Sequence, residues 1–264
     1  MPSGLALTDL GSLAVRSGLG LDSVEAVTEA LAAVPADSIN CATLICAAHL
    51  TTELDDVRFN RIGRAPYQER ARLTKRLREC GTAEPVLSRL MGTPSKSGIG
   101  TGRARQSLAC LMWAEGVKLG NIERAISDQQ TLTRRESPGP VQHAAQRTAD
   151  VLATVVEIAF HVHPTADLGI LPDVLPAQLE LGIVAGLVPI AWHAEIPLLR
   201  PVYLNLARAG LTSPADILTA DPALLLDCVG GRPEQRHVVW KAAMAAQEEA
   251  DEGGLRDRFP SDGN

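Results

Sequence analysis

The sequence predicts an all-α protein: a helical bundle followed by a smaller C-terminal helical module. Three observations carry that prediction. Apolar residues make up 45% of the 264 residues and aromatics only 3%, so the apolar bulk comes from Ala, Leu, Val and Ile. That composition suits close-packed helices, because Ala and Leu are the best helix formers, and it does not suit a β-sandwich rich in Val, Thr and aromatics. Apolar residues recur with helical spacing, as in Val24, Val27, Leu31 and Val34. Finally, Pro140, Pro197, Pro214, Pro222 and Pro233 sit where a first helical turn accepts proline, and Gly81 sits where a helix ends.

Taken in order, the only strand candidate lies near Leu5–Thr8 and Ala14–Val15. Asp22 and Glu25 have capping-box spacing before the Val24–Val34 stripe. A second helix is expected over Ser38–Leu50, and a basic one over Gln68–Cys80, stopped by Gly81. Thr82 can cap a short helix through Met91, Thr101 one through Gly116, and Asn121 starts another. The longest helix is expected from Pro140 to His163, stopped by Pro164. Later helices begin at Asp173, Pro197, Pro214, Pro222 and Pro233. The stretches Thr51–Pro66 and Pro94–Gly102 read as flexible joints, and the polar, Gly-rich tail of residues 250–264 as disordered.

Length allows one large domain or two small ones. Five cysteines without paired spacing point to a reducing compartment and hence the cytoplasm. The first 15 residues carry Asp9 and no basic start, so no secretory signal is expected. No apolar run approaches the ~18 residues of a membrane span, so no membrane partner is expected. The net charge of −6 is segregated. Residues 1–57 carry one positive and eight negative charges, whereas residues 58–105 carry twelve Arg or Lys against Glu69, Glu79 and Glu84. Such a local excess is the footprint expected for a phosphate backbone; docking on the acidic flanks of the same fold, or on an acidic partner, is the alternative.

The most informative stretch is Ile196–Leu211, with its continuation at Ser213-Pro214-Ala215-Asp216. It reads as helix, short Pro-containing turn, helix and capped restart, the layout of a helix-hairpin-helix. Where such a hairpin has glycines whose bare N–H groups meet phosphate, this chain has Leu198-Leu199. On that basis Leu198, Leu199, Leu204 and Leu206 are expected to supply packing against a helix over Asp173–Val188, with Arg200 exposed. Leu199→Gly would then cost as much as a core truncation.

Motifs for catalysis and cofactors are not legible. There is no Gly-x-x-x-x-Gly-Lys-Ser/Thr loop and no Gly-x-Ser-x-Gly elbow. Gly98-Ile-Gly-Thr-Gly102 imitates a dinucleotide fingerprint but follows no strand, so no cofactor is expected. His161 and His163 project to different sides of a helix. Cys41, Cys46 and His49 share a helix without an evident fourth ligand, so no metal is expected. Asp55 and Asp56 are adjacent rather than helically spaced, which makes a weak acid–base pair.

The order of several further motifs resembles the C-terminal part of Ski-two-like superfamily-two DNA helicases, the group containing the archaeal stalled-fork repair helicase and bacterial relatives. Leu7-Thr-Asp-Leu-Gly-Ser-Leu-Ala-Val-Arg16 resembles the exit of their winged-helix domain, with Val15 where that pattern has Ser or Ala. Leu44–Asp56 resembles the opening of their helical ratchet domain, and Leu108–Glu123 their "Trp-x-x-Gly-x-x-x-x-x-Ile" helix pair. Gln146–Leu152 resembles the start of the long ratchet helix, and Leu179–Ile183 a link to the terminal hairpin, where Ile196–Leu211 falls. The resemblance spans about residues 5–245 and implies four segments: residues 1–20 a winged-helix remnant, 21–190 ratchet-like, 191–249 helix-hairpin-helix-like, and 250–264 a tail.

The resemblance implies a mechanical role. In that family the ratchet domain closes a ring around single-stranded DNA, and one long helix touches the strand. The matching positions here are His143, Gln146, Arg147 and Asp150, with Val151 where archaeal members often offer an aromatic. Arg147 is the first choice for contact, since guanidinium pairs with phosphate and stacks on bases; an ion pair with Asp150 at i+3 is its alternative role. Arg70, Lys75, Arg76, Arg103, Arg105 and Arg200 complete the expected nucleic-acid-binding set. Both ATPase lobes lie upstream in the family, so this chain alone is expected to hydrolyse no ATP, and the lobes are expected in cis or in trans, anti-phage defence being a natural setting. A helicase-derived protein adaptor and a helical DNA-binding regulator are the rival functions.

Overall fold

The computed structural model describes residues 9–56, 59, 66–92, 99–126 and 139–252. The described residues form an all-α helical bundle of fourteen α-helices, with short 3-10 turns and no strand. Leu5–Thr8 lies outside them. Ala14–Val15, the other half of the expected strand, is helical within α1 (Asp9–Ser17), where Leu13 is buried and Val15 exposed, a helical alternation that a strand period would not give.

The chain divides into two compact units, Met1–Met112 with Leu119–Pro172, and Trp113–Lys118 with Asp173–Asn264. The first holds α1, α2 (Leu21–Ala32), α3 (Cys41–Ala48), α4 (Pro66–Glu79), α5 (Glu84–Gly92), most of α6 (Ile99–Ala114), α7 (Leu119–Ile126) and the 24-residue α8 (Gly139–Val162). Helices α1, α2 and α3 pack on α8, and α2, α3 and α4 on α5. Leu31, Leu44, Ile45, Leu108, Leu152 and Ile158 are among the fully buried side chains of its core.

Local chemistry sets the element ends, not always where spacing suggested. Helix α2 starts at Leu21, and its N-cap is Gly20 rather than Asp22. The anchor comes from elsewhere in the chain. Glu53 accepts the Gly20 N–H and the Ser23 hydroxyl, each at 2.7 Å. Burial raises the Glu53 pKa, but these hydrogen bonds outweigh it and hold the carboxyl below its ordinary value. Glu53 lies in a 3-10 turn, Thr52–Leu54, with Leu54 buried, so that part of the expected joint is fixed structure; residues 57, 58 and 60–65 lie outside the described ones. Asn40 caps α3 by accepting the Thr43 N–H at 2.9 Å. Helix α4 ends before Gly81, whose φ of +87° suits glycine. Helix α6 begins two residues before Thr101, so Ile99–Gly102, the described part of the expected Pro94–Gly102 joint, is its first turn, and residues 94–98 lie outside the described ones.

The second unit contains α9 (Leu171–Leu181) from Asp173 onward, then α10 (Val188–His193), α11 (Arg200–Arg208), α12 (Pro214–Thr219), α13 (Pro222–Cys228) and α14 (Pro233–Asp251). The single helix expected over Asp173–Val188 is broken. Gly182 has φ +67°, and Ala185–Leu187 form a 3-10 turn. Proline opens α12, α13 and α14 as the sequence indicated. Ser213 caps α12 by accepting the Asp216 N–H, and the Asp216 carboxylate accepts the Thr212 N–H at 3.0 Å. Residues 253–264, most of the expected tail, lie outside the described residues.

No single described helix is long and apolar enough to cross a membrane. The bent pair Leu171–Leu181 and Ala185–His193 reaches the required length and composition, with an 88° bend. Its apolar residues Val174, Leu187, Val188 and Ile190 are buried in the core of the second unit.

Candidate nucleic-acid interface

The nine residues expected to meet nucleic acid fall into two groups. Arg103 and Arg105 sit near the start of α6, whose following turns are buried on every side. Arg103 makes a two-pronged pair with Asp55, Nε and Nη2 each 2.7 Å from a carboxylate oxygen, and its Nη1 donates to the Leu50 carbonyl at 3.0 Å. Arg105 pairs with the inward-turned Glu69 of α4 and donates to the Phe59 carbonyl. Arg200, expected to be exposed, is half-buried. Its guanidinium lies 3.8 Å over the Trp113 ring and donates to the carbonyls of Gly182 and Val117, each at 2.8 Å. Burial lowers its pKa to about 10, so it stays charged at neutral pH.

The second group faces outward. On α8, His143, Gln146 and Asp150 are exposed and Arg147 is intermediate, whereas Ala144, Ala145, Thr148, Val151 and Leu152 are buried. The two sets are interleaved at helical spacing, so α8 has one face in the core and one in solvent. Arg147 donates to the Glu53 carbonyl at 2.9 Å and stands 4.0 Å from the Asp150 carboxylate. That leaves most of its five N–H donors uncommitted. On α4, Lys75 and Arg76 are exposed and share the single carboxylate of Glu79 at 3.9 and 3.8 Å. Arg70 is intermediate, without an ion pair among the described residues. Arg58, Arg61, Arg64 and Lys96 lie outside the described residues.

Part of the basic excess is therefore consumed by the acidic N-terminal flank, through Arg103–Asp55 and Arg89–Glu29. The pairing with Asp55 also takes up one of the two adjacent aspartates. His163 is pinned by its Nε2 at 3.0 Å from the Leu31 carbonyl, while His161 is exposed. Among the described residues no group of three or more His, Cys, Asp or Glu could hold a metal ion.

A buried polar cluster under α8 was not legible in the sequence as a unit. The Thr148 hydroxyl donates to the Ala144 carbonyl at 2.7 Å, so it accepts from His49 Nε2–H at 3.2 Å and from the Cys110 thiol at 3.4 Å. This fixes His49 as the Nε2–H tautomer. Burial, then the nearby Arg103 charge, pulls its imidazole down to about 3. Cys46, bonded to Thr82, and Cys110 are pushed up to about 12 by burial, which makes them inert thiols at neutral pH. The unfolded His49 takes a proton near pH 6.5 and the folded one only near pH 3. Its stabilising contribution is therefore complete above pH 6.5 and is lost progressively as pH falls toward 3. Chemical denaturation across that window should show wild type losing up to ~1.4 kcal/mol per pH unit more than His49→Gln. Equal slopes would contradict the assignment.

In the second unit, the stretch Ile196–Leu211 holds one helix rather than the expected two. Helix α10 ends at His193, residues 194–199 are not helical, and α11 starts at Arg200 rather than Pro197, while the capped restart at Ser213 is present as α12. Leu206 and Val202 lie in its core, and Leu198 is partly buried against that core. Leu199 is not a packing residue. It is 69% exposed and serves as the N-cap of α11. Leu199→Gly should accordingly change stability by less than about 0.5 kcal/mol, while Leu206→Ala should cost about 2–5 kcal/mol. Thermal melts of the two variants check this.

No family model matches the chain, and no curated protein matches it.

Proposed function

We propose that this chain is a non-catalytic module of a DNA helicase, ratchet-like in its first unit and helix-hairpin-helix-like in its second, that guides single-stranded DNA for a motor supplied in cis or in trans. The observation that carries this is the solvent face of α8. His143, Gln146, Arg147 and Asp150 form a continuous outward row on the longest helix, whose opposite face is fixed in the core. Three of the four, His143, Gln146 and Arg147, carry N–H donors, with Asp150 4.0 Å from Arg147. Donors along one side of a helix suit a strand sliding past it, since contacts to phosphate and base faces carry little sequence preference. The motif order described from the sequence supports the same function.

One observation favours a second function, that of a protein adaptor. Ile196 and Leu199 stand exposed beside α11 while Arg200 is turned inward, which gives that turn an apolar rather than cationic surface.

Fluorescence anisotropy of a labelled oligo-dT at two salt concentrations separates them. Weak binding is expected at low salt, with a log–log salt slope of about −0.7 per phosphate neutralised. Absence of binding at low salt would favour the adaptor, and preference for one duplex sequence would favour a regulator.

A further inference from the structure

Helix α4 carries Tyr67, which is 83% exposed, the most exposed of the large apolar side chains among the described residues. The helix is not short of core: Leu73 and Leu77, its other large apolar residues, are completely buried. The ring is thus left outside by a helix that buries what it can. Its neighbours on that side do not cover it. Ala71, one turn on, is itself exposed and offers only a methyl group. Arg70 at i+3 lies roughly 60° around the helix to one side of the ring, and Lys75 at i+8 roughly 80° to the other side and about 12 Å along the axis.

The charge around the ring is one-sided. Within residues 67–76 the one carboxylate, Glu69, is turned inward and neutralised by Arg105, and the next one on the helix, Glu79, is shared at 3.9 and 3.8 Å by Lys75 and Arg76, which leaves the face with a net positive charge. The internal ion pair thereby leaves a cationic outer face on the first turns of α4, with an uncovered aromatic ring at its start. Single-stranded nucleic acid is the partner this combination fits. Its phosphates answer the cations, and its unpaired bases present π-faces that a duplex keeps stacked.

We infer that α4 is a second contact surface for single-stranded DNA, on which the Tyr67 ring stacks on an unpaired base while Arg70 and Lys75 hold the flanking phosphates. This rests on the single-strand function proposed above and adds to it a base-contacting residue outside α8.

Three variants of the full chain, Tyr67→Ala, Tyr67→Phe and Lys75→Ala, would be titrated against labelled oligo-dT and against an abasic oligonucleotide of equal length. Melting curves would confirm that each is folded. Tyr67→Ala should weaken oligo-dT binding about tenfold and leave binding to the abasic strand unchanged. Tyr67→Phe should bind both as wild type does, and Lys75→Ala should reduce the salt slope by about 0.7. If wild type binds oligo-dT and Tyr67→Ala binds it equally well, the α4 surface is overturned while the single-strand function stands. An equal loss on both strands would overturn stacking in favour of a structural role. If wild type binds neither strand, both the function and this surface fail.

Discussion

Gly186→Ala should destabilise the second unit by about 3 kcal/mol or more, the upper end of what overpacking costs. A methyl group at Gly186 would stand 2.1 Å from the carbonyl oxygen of Thr212. That obstacle is backbone, so no rotamer change relieves it. Thr212 is also held in place, because Asp216 accepts its N–H and Ser213 in turn caps Asp216. The alanine must therefore push apart the Ala185–Leu187 turn and the α11–α12 turn, which meet at this point. Amide hydrogen exchange should show the amides of α11 and α12 losing protection in the variant. Retained protection and an unchanged melting temperature would contradict the close approach.

Arg105→Ala should cost about 3–5 kcal/mol, the cost of breaking a buried ion pair from one side. The loss leaves the Glu69 carboxylate inside the fold without its cation and removes the donor to the Phe59 carbonyl. Replacing both partners, Arg105→Met with Glu69→Leu, should recover most of that loss, because two apolar side chains remove the uncompensated charge. Denaturant titration of the single and double variants checks both statements. Where Arg105→Ala remains folded, its affinity for oligo-dT should equal that of wild type, since this guanidinium does not reach solvent. A reduced salt slope for that variant would mean that Arg105 meets phosphate after all.

The helical class and most helix positions were legible in the sequence because they depend on local signals: apolar period, Pro at first turns, Gly at ends. Ser213 with Asp216, and the prolines opening α12, α13 and α14, are of this kind. What failed to show depends on partners distant in sequence. Asp22 has the spacing of a cap, yet α2 is anchored by Glu53, some thirty residues on. Arg103 and Arg105 belong to a basic stretch by composition. Their fate was decided by Asp55 and Glu69, which only the packing of α6 brings within reach. The α8 positions His143, Gln146, Arg147 and Asp150 were indicated by the family resemblance, whereas the commitment of Arg147 to the Glu53 carbonyl, more than ninety residues away, was not legible.

The most direct test of where a strand lies is photo-cross-linking of a bromodeoxyuridine-substituted single-stranded oligonucleotide to the full chain, followed by peptide mapping. If the solvent face of α8 guides the strand, adducts should concentrate around His143–Arg147, with a second set at the start of α4. Adducts confined to the second unit, or none under conditions where the oligonucleotide is bound, would contradict a ratchet-like role for α8.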